Sequence, residues 1–175
     1  MRSDKLQVIF DTSPLITLCS FRAQEELAIE HLLPFLDALV VQTVSIESTA
    51  NPKYADAKAI QLFLGNQQIL SLPIPTTSLD SVIDQYTKLG NGERDTLRLA
   101  ITNPQAQVIL DDYLAFVIAT RFHLRPLLLL DLLVLLVESH NLDRQLAVKI
   151  LDAIKSRYSA AFVEHTRVML LEVLP

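Results

Sequence analysis

The run Val8-Ile9-Phe10-Asp11-Thr12-Ser13-Pro14-Leu15-Ile16 ends an apolar, strand-like segment on a carboxylate and starts a helix directly after it. In open α/β sheets, ligands bind at the carboxyl ends of the parallel strands. Val108-Ile109-Leu110-Asp111-Asp112 repeats the pattern late in the chain. Two acidic strand ends in one small α/β chain imply a pocket of carboxylates, and carboxylate oxygens suit a hard metal ion. Asp11 is the foremost candidate, because a charge that closes a buried strand needs a partner and no sequence neighbour supplies a cation.

The remaining acids differ in what their surroundings allow. Glu93 follows the glycine turn Gly90-Asn91-Gly92 and opens a helix, where an acid interacts well with the helix dipole. Leu97 and Ala100 share its side of that helix, so Glu93 stands at the edge of the buried stripe. Asp95 lies roughly 200° around the helix from Glu93. Flanked by Arg94 and Arg98, it reads as part of the solvated face. Asp111 and Asp112 are adjacent at a strand end and point to opposite faces. One can face a pocket while the other caps the next helix or supports it. Glu47, with little periodicity around it, reads from its residues alone as an ordinary surface acid.

The elements that must place these groups alternate. Residues 6–10 read as a strand, followed by a helix with Ser13 as N-cap and Pro14 in its first turn. Residues 39–41 form a second strand, followed by a helical segment carrying Glu47 and broken at Asn51-Pro52. Residues 55–64 are helical and stop at Gly65. Residues 68–72 form a third strand, and 78–89 a helix. The helix from Glu93 ends near Thr102, residues 107–110 form a fourth strand, and 115–123 a helix. From Pro126 onward the pattern is helical, with breaks near His140-Asn141 and near Tyr158. Alternating strands and helices imply an α/β fold whose mainly parallel sheet carries helices on both faces.

Composition narrows the classes. The chain has 175 residues, half of them hydrophobic and 20% charged, enough for one domain with a real core. The single cysteine, Cys19, excludes an internal disulfide and sits in an apolar pattern as core filler. No signal-peptide pattern is visible, and a lone cysteine fits a reducing cytoplasm. The greasiest stretch, Leu127–Val137, is interrupted by Asp131 and falls short of the ~20 residues a membrane helix needs. A net charge of -5 argues against a broad basic face, although bound divalent ions reverse the sign of a carboxylate cluster locally. His31, His123, His140 and His165 are scattered without cysteine companions, which disfavours zinc. There is no glycine-rich phosphate loop. A haloacid-dehalogenase-type phosphatase would want an aspartate where Ser13 stands.

Taken in order, Asp11 after a strand, Glu47 after the second strand, Gly90-Asn91-Gly92-Glu93 with Ala100 downstream, and Leu110-Asp111-Asp112 resemble the PIN-domain family. Within it the chain is most similar to the branch related to VapC-type toxin nucleases. The similarity runs from about residue 6 to 125, and the helices after Arg125-Pro126 resemble that branch too. The resemblance implies one PIN-like domain over residues 1–175, a three-layer α/β/α sandwich. Its central, mainly parallel sheet would have four to five strands, with helices over about 126–175. It further implies a metal-dependent endoribonuclease, cutting RNA to 5′-phosphate and 3′-hydroxyl ends. Such an enzyme is typically the cytoplasmic, homodimeric toxin of a pair restrained by an antitoxin protein. The alternative is a PIN-like binding or assembly module that has lost catalysis.

Carried over, the catalytic acids are Asp11, Glu47, Glu93 and one or both of Asp111 and Asp112. Asp11, Glu93, Asp111 and Asp112 are the implied ligands of Mg²⁺ or Mn²⁺. The family often has a small polar residue two before its last acid, which selects Asp112, but Leu110 stands there. It also often has a proline before the second motif, where Val41 or Gln42 stands. Thr12 or Ser13 could orient a carboxylate or a water. Arg94, Arg98, Arg121 and Arg125 are helix-borne arginines with no assigned role.

Overall fold

The computed structural model describes residues 5–172. Strand β1 (Leu6–Phe10) is the centre of a five-stranded sheet. Its last three residues, Val8, Ile9 and Phe10, are fully buried, as a parallel strand covered on both faces requires. β1 leads into α1 (Thr12–Ser20). A short antiparallel pair follows, β2 (Arg22–Ala23) and β3 (Glu26–Leu27), with Gln24 at a φ of 58° in its turn. Next come α2 (Ala28–Leu32), a 3₁₀ turn at Leu33–Phe35, and β4 (Leu36–Val41). α3 (Gln42–Thr49), α4 (Ala55–Gly65) and β5 (Ile69–Leu72) complete one half of the sheet.

The chain then crosses back. α5 (Asp80–Ile83) and α6 (Asn91–Thr102) precede β6 (Gln107–Ile109), which pairs with the free side of β1. α7 (Tyr113–Arg121) leads to β7 (Arg125–Leu127) at the edge. α8 (Leu129–Glu138), α9 (Arg144–Ile154) and α10 (Ala160–Glu172) pack on one another at the end. The strand order is β5-β4-β1-β6-β7 and every pair in it is parallel. Helices flank this sheet in a three-layer α/β/α arrangement. Because β1 has β4 on one side and β6 on the other, the order reverses at β1. The crevice outside its carboxyl end is therefore the switch point where such sheets bind ligands. No described helix is long and apolar enough to cross a membrane.

Several expectations need correction. The cap of α1 is Asp11, not Ser13. The Asp11 N–H bonds Ile109 O at 3.1 Å and its carbonyl accepts from Leu15 at 3.3 Å. One residue thus closes the sheet ladder and opens the helix, which leaves Ser13 inside the first turn. The helix expected over 78–89 is only the single turn of α5. Thr77 donates through N and Oγ1 to Asp80, and Leu89 N closes a turn onto Tyr86 O, so local caps replace a continuous ladder. Pro126, expected to begin the helical region, lies in β7. An edge strand tolerates a residue without an N–H, so the sheet gains a fifth member there.

Candidate active site

Three elements bring carboxylates to one cavity of about 300 Å³ at the carboxyl end of β1. Asp11 comes from the β1–α1 junction, Glu47 from the last turn of α3, and Glu93 from the first turn of α6. Gly90 and Gly92 form part of the wall, and Arg157 also lines it. A larger cavity, about 720 Å³, lies at the amino ends of β1, β4 and β5. Its lining mixes Lys5 with Glu26, Glu30 and Asp37 and gathers no acids around one point. The smaller cavity is the better candidate, because it sits at the switch point and faces three carboxylates.

Each acid is held differently. Asp11 is buried at 4% exposure, with Thr96 Oγ1 donating to Oδ1 at 3.5 Å. Burial, aided by the negative charges of Glu93 and Glu47, pushes its pKa up to about 7, against the opposing pull of the Thr12 amide and the Thr96 hydroxyl. Glu47 is exposed but fixed. Thr12 Oγ1 donates to Oε2 at 2.9 Å and the Gly92 N–H to Oε1 at 3.2 Å. The Glu93 carboxylate reaches back to accept from the Gly90 N–H, closing the first turn of α6. Leu97 and Ala100 are buried below it, the stripe whose edge Glu93 was expected to occupy.

Gly92 is what lets the Glu47 carboxylate sit against the α6 backbone. A Cβ built there would overlap the Glu47 carboxylate. Glu47 is the tip of a flexible side chain and can swing aside, and alanine favours a helix over glycine by about 1 kcal/mol. Gly92→Ala is therefore expected to fold at least as stably as the wild type while displacing Glu47 from the Thr12 and Gly92 donors. Thermal melting beside a Mn²⁺ titration checks this. A variant that melts normally and binds Mn²⁺ unchanged would show that Glu47 does not serve the site.

The acids at the end of β6 have other partners. Asp112 is exposed and caps α7, accepting from Ala115 N at 2.8 Å. Asp111 accepts from the Tyr158 hydroxyl at 2.7 Å and from Leu129 N at 3.4 Å. Burial raises its pKa, opposed by those donors and by the nearby Arg157 charge. Neither acid lines the cavity shared by Asp11, Glu47 and Glu93.

Asp95 overturns its reading as a solvated residue. It is buried at 7%, held by Thr43 Oγ1 at 2.5 Å and Arg98 Nη1 at 2.6 Å. Arg98 also pairs with Asp80 and Asp84, and Arg94 bonds Asn91. The cation at the cavity is instead Arg157, in the 3₁₀ turn Lys155–Arg157. Its only advertisement in the sequence is a basic residue in the helix break near Tyr158. Cys19 is a buried filler whose thiol is pushed up to about 12 and stays inert.

Among the described residues no three of His, Cys, Asp and Glu are drawn into a ready-made metal cage. An Mg²⁺-like ion does not need one, since it keeps several waters and uses one or two carboxylates plus substrate phosphate. An all-oxygen donor set in which burial, and then the neighbouring acids, raise Asp11 suits such an ion.

A family model described as DUF3368, PIN domain, matches residues 7–168, nearly the whole chain. The comparisons with curated proteins and with solved structures find no match.

Proposed function

The chain belongs to the PIN-domain family, and from that premise we propose that it is a metal-dependent endoribonuclease hydrolysing RNA phosphodiester bonds. The observation that carries this reading is the convergence of Asp11, Glu47 and Glu93 on one cavity, with Asp11 raised to about 7 by burial and by its acidic neighbours. Such a pocket repels a phosphate unless a cation neutralises it. Asp11 and Glu93 are the groups that would hold Mg²⁺ or Mn²⁺, with Glu47 oriented by Thr12 and Gly92 to share the ion or its water. The ion supplies Lewis-acid polarisation of the phosphate and of an attacking water.

The chain's own contribution is orientation. The Asp11 backbone is fixed where the strand ladder meets the helix, since it bonds both, and burial with the Thr96 hydroxyl holds its side chain there. Thr12 and the Gly92 amide fix both oxygens of Glu47. The buried Asp11 carboxyl would hold such a cation in its ionised form, which its raised pKa makes pH-dependent near neutrality. We further propose that the protein is a homodimeric cytoplasmic toxin controlled by an antitoxin protein. Exposed Val168, Met169 and Leu171 on α10 offer an apolar surface for such a partner.

The test is Mn²⁺-dependent cleavage of a mixed single-stranded RNA pool by the purified protein, beside an EDTA control and Asp11→Asn. Cleavage lost in both controls establishes the nuclease. A folded wild type that neither cleaves with Mn²⁺ nor binds it by calorimetry overturns the reading in favour of a PIN-like binding module.

A further inference from the structure

Arg157 is a wall shared by two cavities. One is the acid pocket. The other, about 220 Å³, is lined by Asp111, Leu128, Leu130, Tyr158 and Phe162 in addition to Arg157. The Tyr158 hydroxyl is committed to Asp111, 2.7 Å away, which ties the turn before α10 to the end of β6 and leaves the tyrosine ring as a cavity wall. Phe162, in the first turn of α10, remains 48% exposed, a large ring left half in water at this opening. Among the described residues Arg157 forms no ion pair within 4 Å, and its charge reaches the nearby Asp111 across this cavity.

Size and chemistry select the occupant. The cavity is smaller than the ~300 Å³ at which pockets begin to take whole ligands. It suits a flat ring rather than a complete nucleotide. Aromatic and aliphatic walls beside an arginine plane are the surroundings in which unpaired RNA bases stack. Its neighbour is the cavity that receives the phosphate.

We propose that this second cavity is a base subsite. It takes the nucleobase adjoining the scissile phosphate, stacked on Phe162, while Arg157 binds the phosphate between the two cavities. The assignment rests on reading the acid pocket as a ribonuclease site, and it requires a base that is free to turn out of a stack.

The test is calorimetric titration of the full chain, in Mn²⁺ buffer, with the four nucleoside 5′-monophosphates and with ribose 5-phosphate. At least one nucleotide is expected to bind about 10-fold tighter than ribose 5-phosphate, the worth of one stacked base. Phe162→Ala should erase that difference and Phe162→Tyr should keep it. Arg157→Ala should weaken nucleotides and ribose 5-phosphate alike, by about 10-fold. Equal affinity for all five probes, no binding of any of them, or a base preference that survives Phe162→Ala overturns the subsite. Base-dependent binding that Phe162→Ala removes, in a protein that neither cleaves RNA nor binds Mn²⁺, upholds the base site and overturns the nuclease.

Discussion

Asp11→Asn is expected to stabilise the metal-free protein at pH 8 while abolishing its Mn²⁺-dependent cleavage. The folded protein holds the Asp11 carboxyl at about 7, against an ordinary value of 3.8. An acid raised on folding stabilises the fold fully below its unfolded pKa, and that contribution is lost as pH rises through the folded one. The wild type without metal should therefore lose stability between about pH 4 and pH 7, by about 4 kcal/mol at 1.36 kcal/mol per pKa unit. Asparagine has no proton to lose there and keeps an oxygen for the Thr96 hydroxyl, so the variant should lose the Asp11 part of this slope and keep only the smaller part that the raised Asp111 and Asp131 contribute. Divalent metal acts the other way on the wild type, since it binds the ionised folded form and restores what the pH rise removed. In the variant one negative ligand is gone, and cleavage should fall by more than the ~100-fold that loss of a supporting residue around a metal costs. Melting curves of both proteins at pH 5 and pH 8, with EDTA and with Mn²⁺, read all of this. If the variant in EDTA melts below the wild type at pH 8, Asp11 is not the uncompensated charge described here.

What the sequence made legible followed from local physics. Asp11 stands out because an apolar run that ends on a charge requires a partner, and Glu93 because a glycine turn opens its helix. The parallel sheet follows from the alternation of strand and helix. Glu47 shows no such signal. Its two bonds come from Thr12 and from the Gly92 amide, on elements far away in the chain, and only the family resemblance singled it out. Asp95 misleads for the opposite reason. Two flanking arginines look like a solvated face, yet Arg98 folds inward to neutralise it. β7 is hidden because Pro126 argues against a strand until its edge position is known. Arg157 is invisible until α9 and α10 pack and bring their connecting turn to the end of the sheet.

Arg98→Ala is expected to cost about 3–5 kcal/mol, the penalty of leaving a buried charge without its partner. The Arg98 side chain is 12% exposed and that of Asp95 11%, so water cannot replace the pairing. Arg98 also draws in Asp80 and Asp84, which holds the α5 turn against α6. Through Asp95, whose carboxylate accepts from Thr43, the cluster joins α6 to α3. These are the helices that carry Glu93 and Glu47, two residues before Asp95 and four after Thr43. The same cluster that stabilises the fold therefore fixes the spacing of two site acids, and a variant that survives unfolded-state competition should still lose cleavage. Replacing both partners removes the orphaned charge, so Arg98→Met with Asp95→Leu should regain most of the stability. It should not regain activity, because the link to Thr43 is gone. Urea unfolding of the single and double variants, with cleavage assayed on each at a temperature where it is folded, separates the two roles. A double variant as active as the wild type would mean that the cluster stabilises the fold without positioning the site.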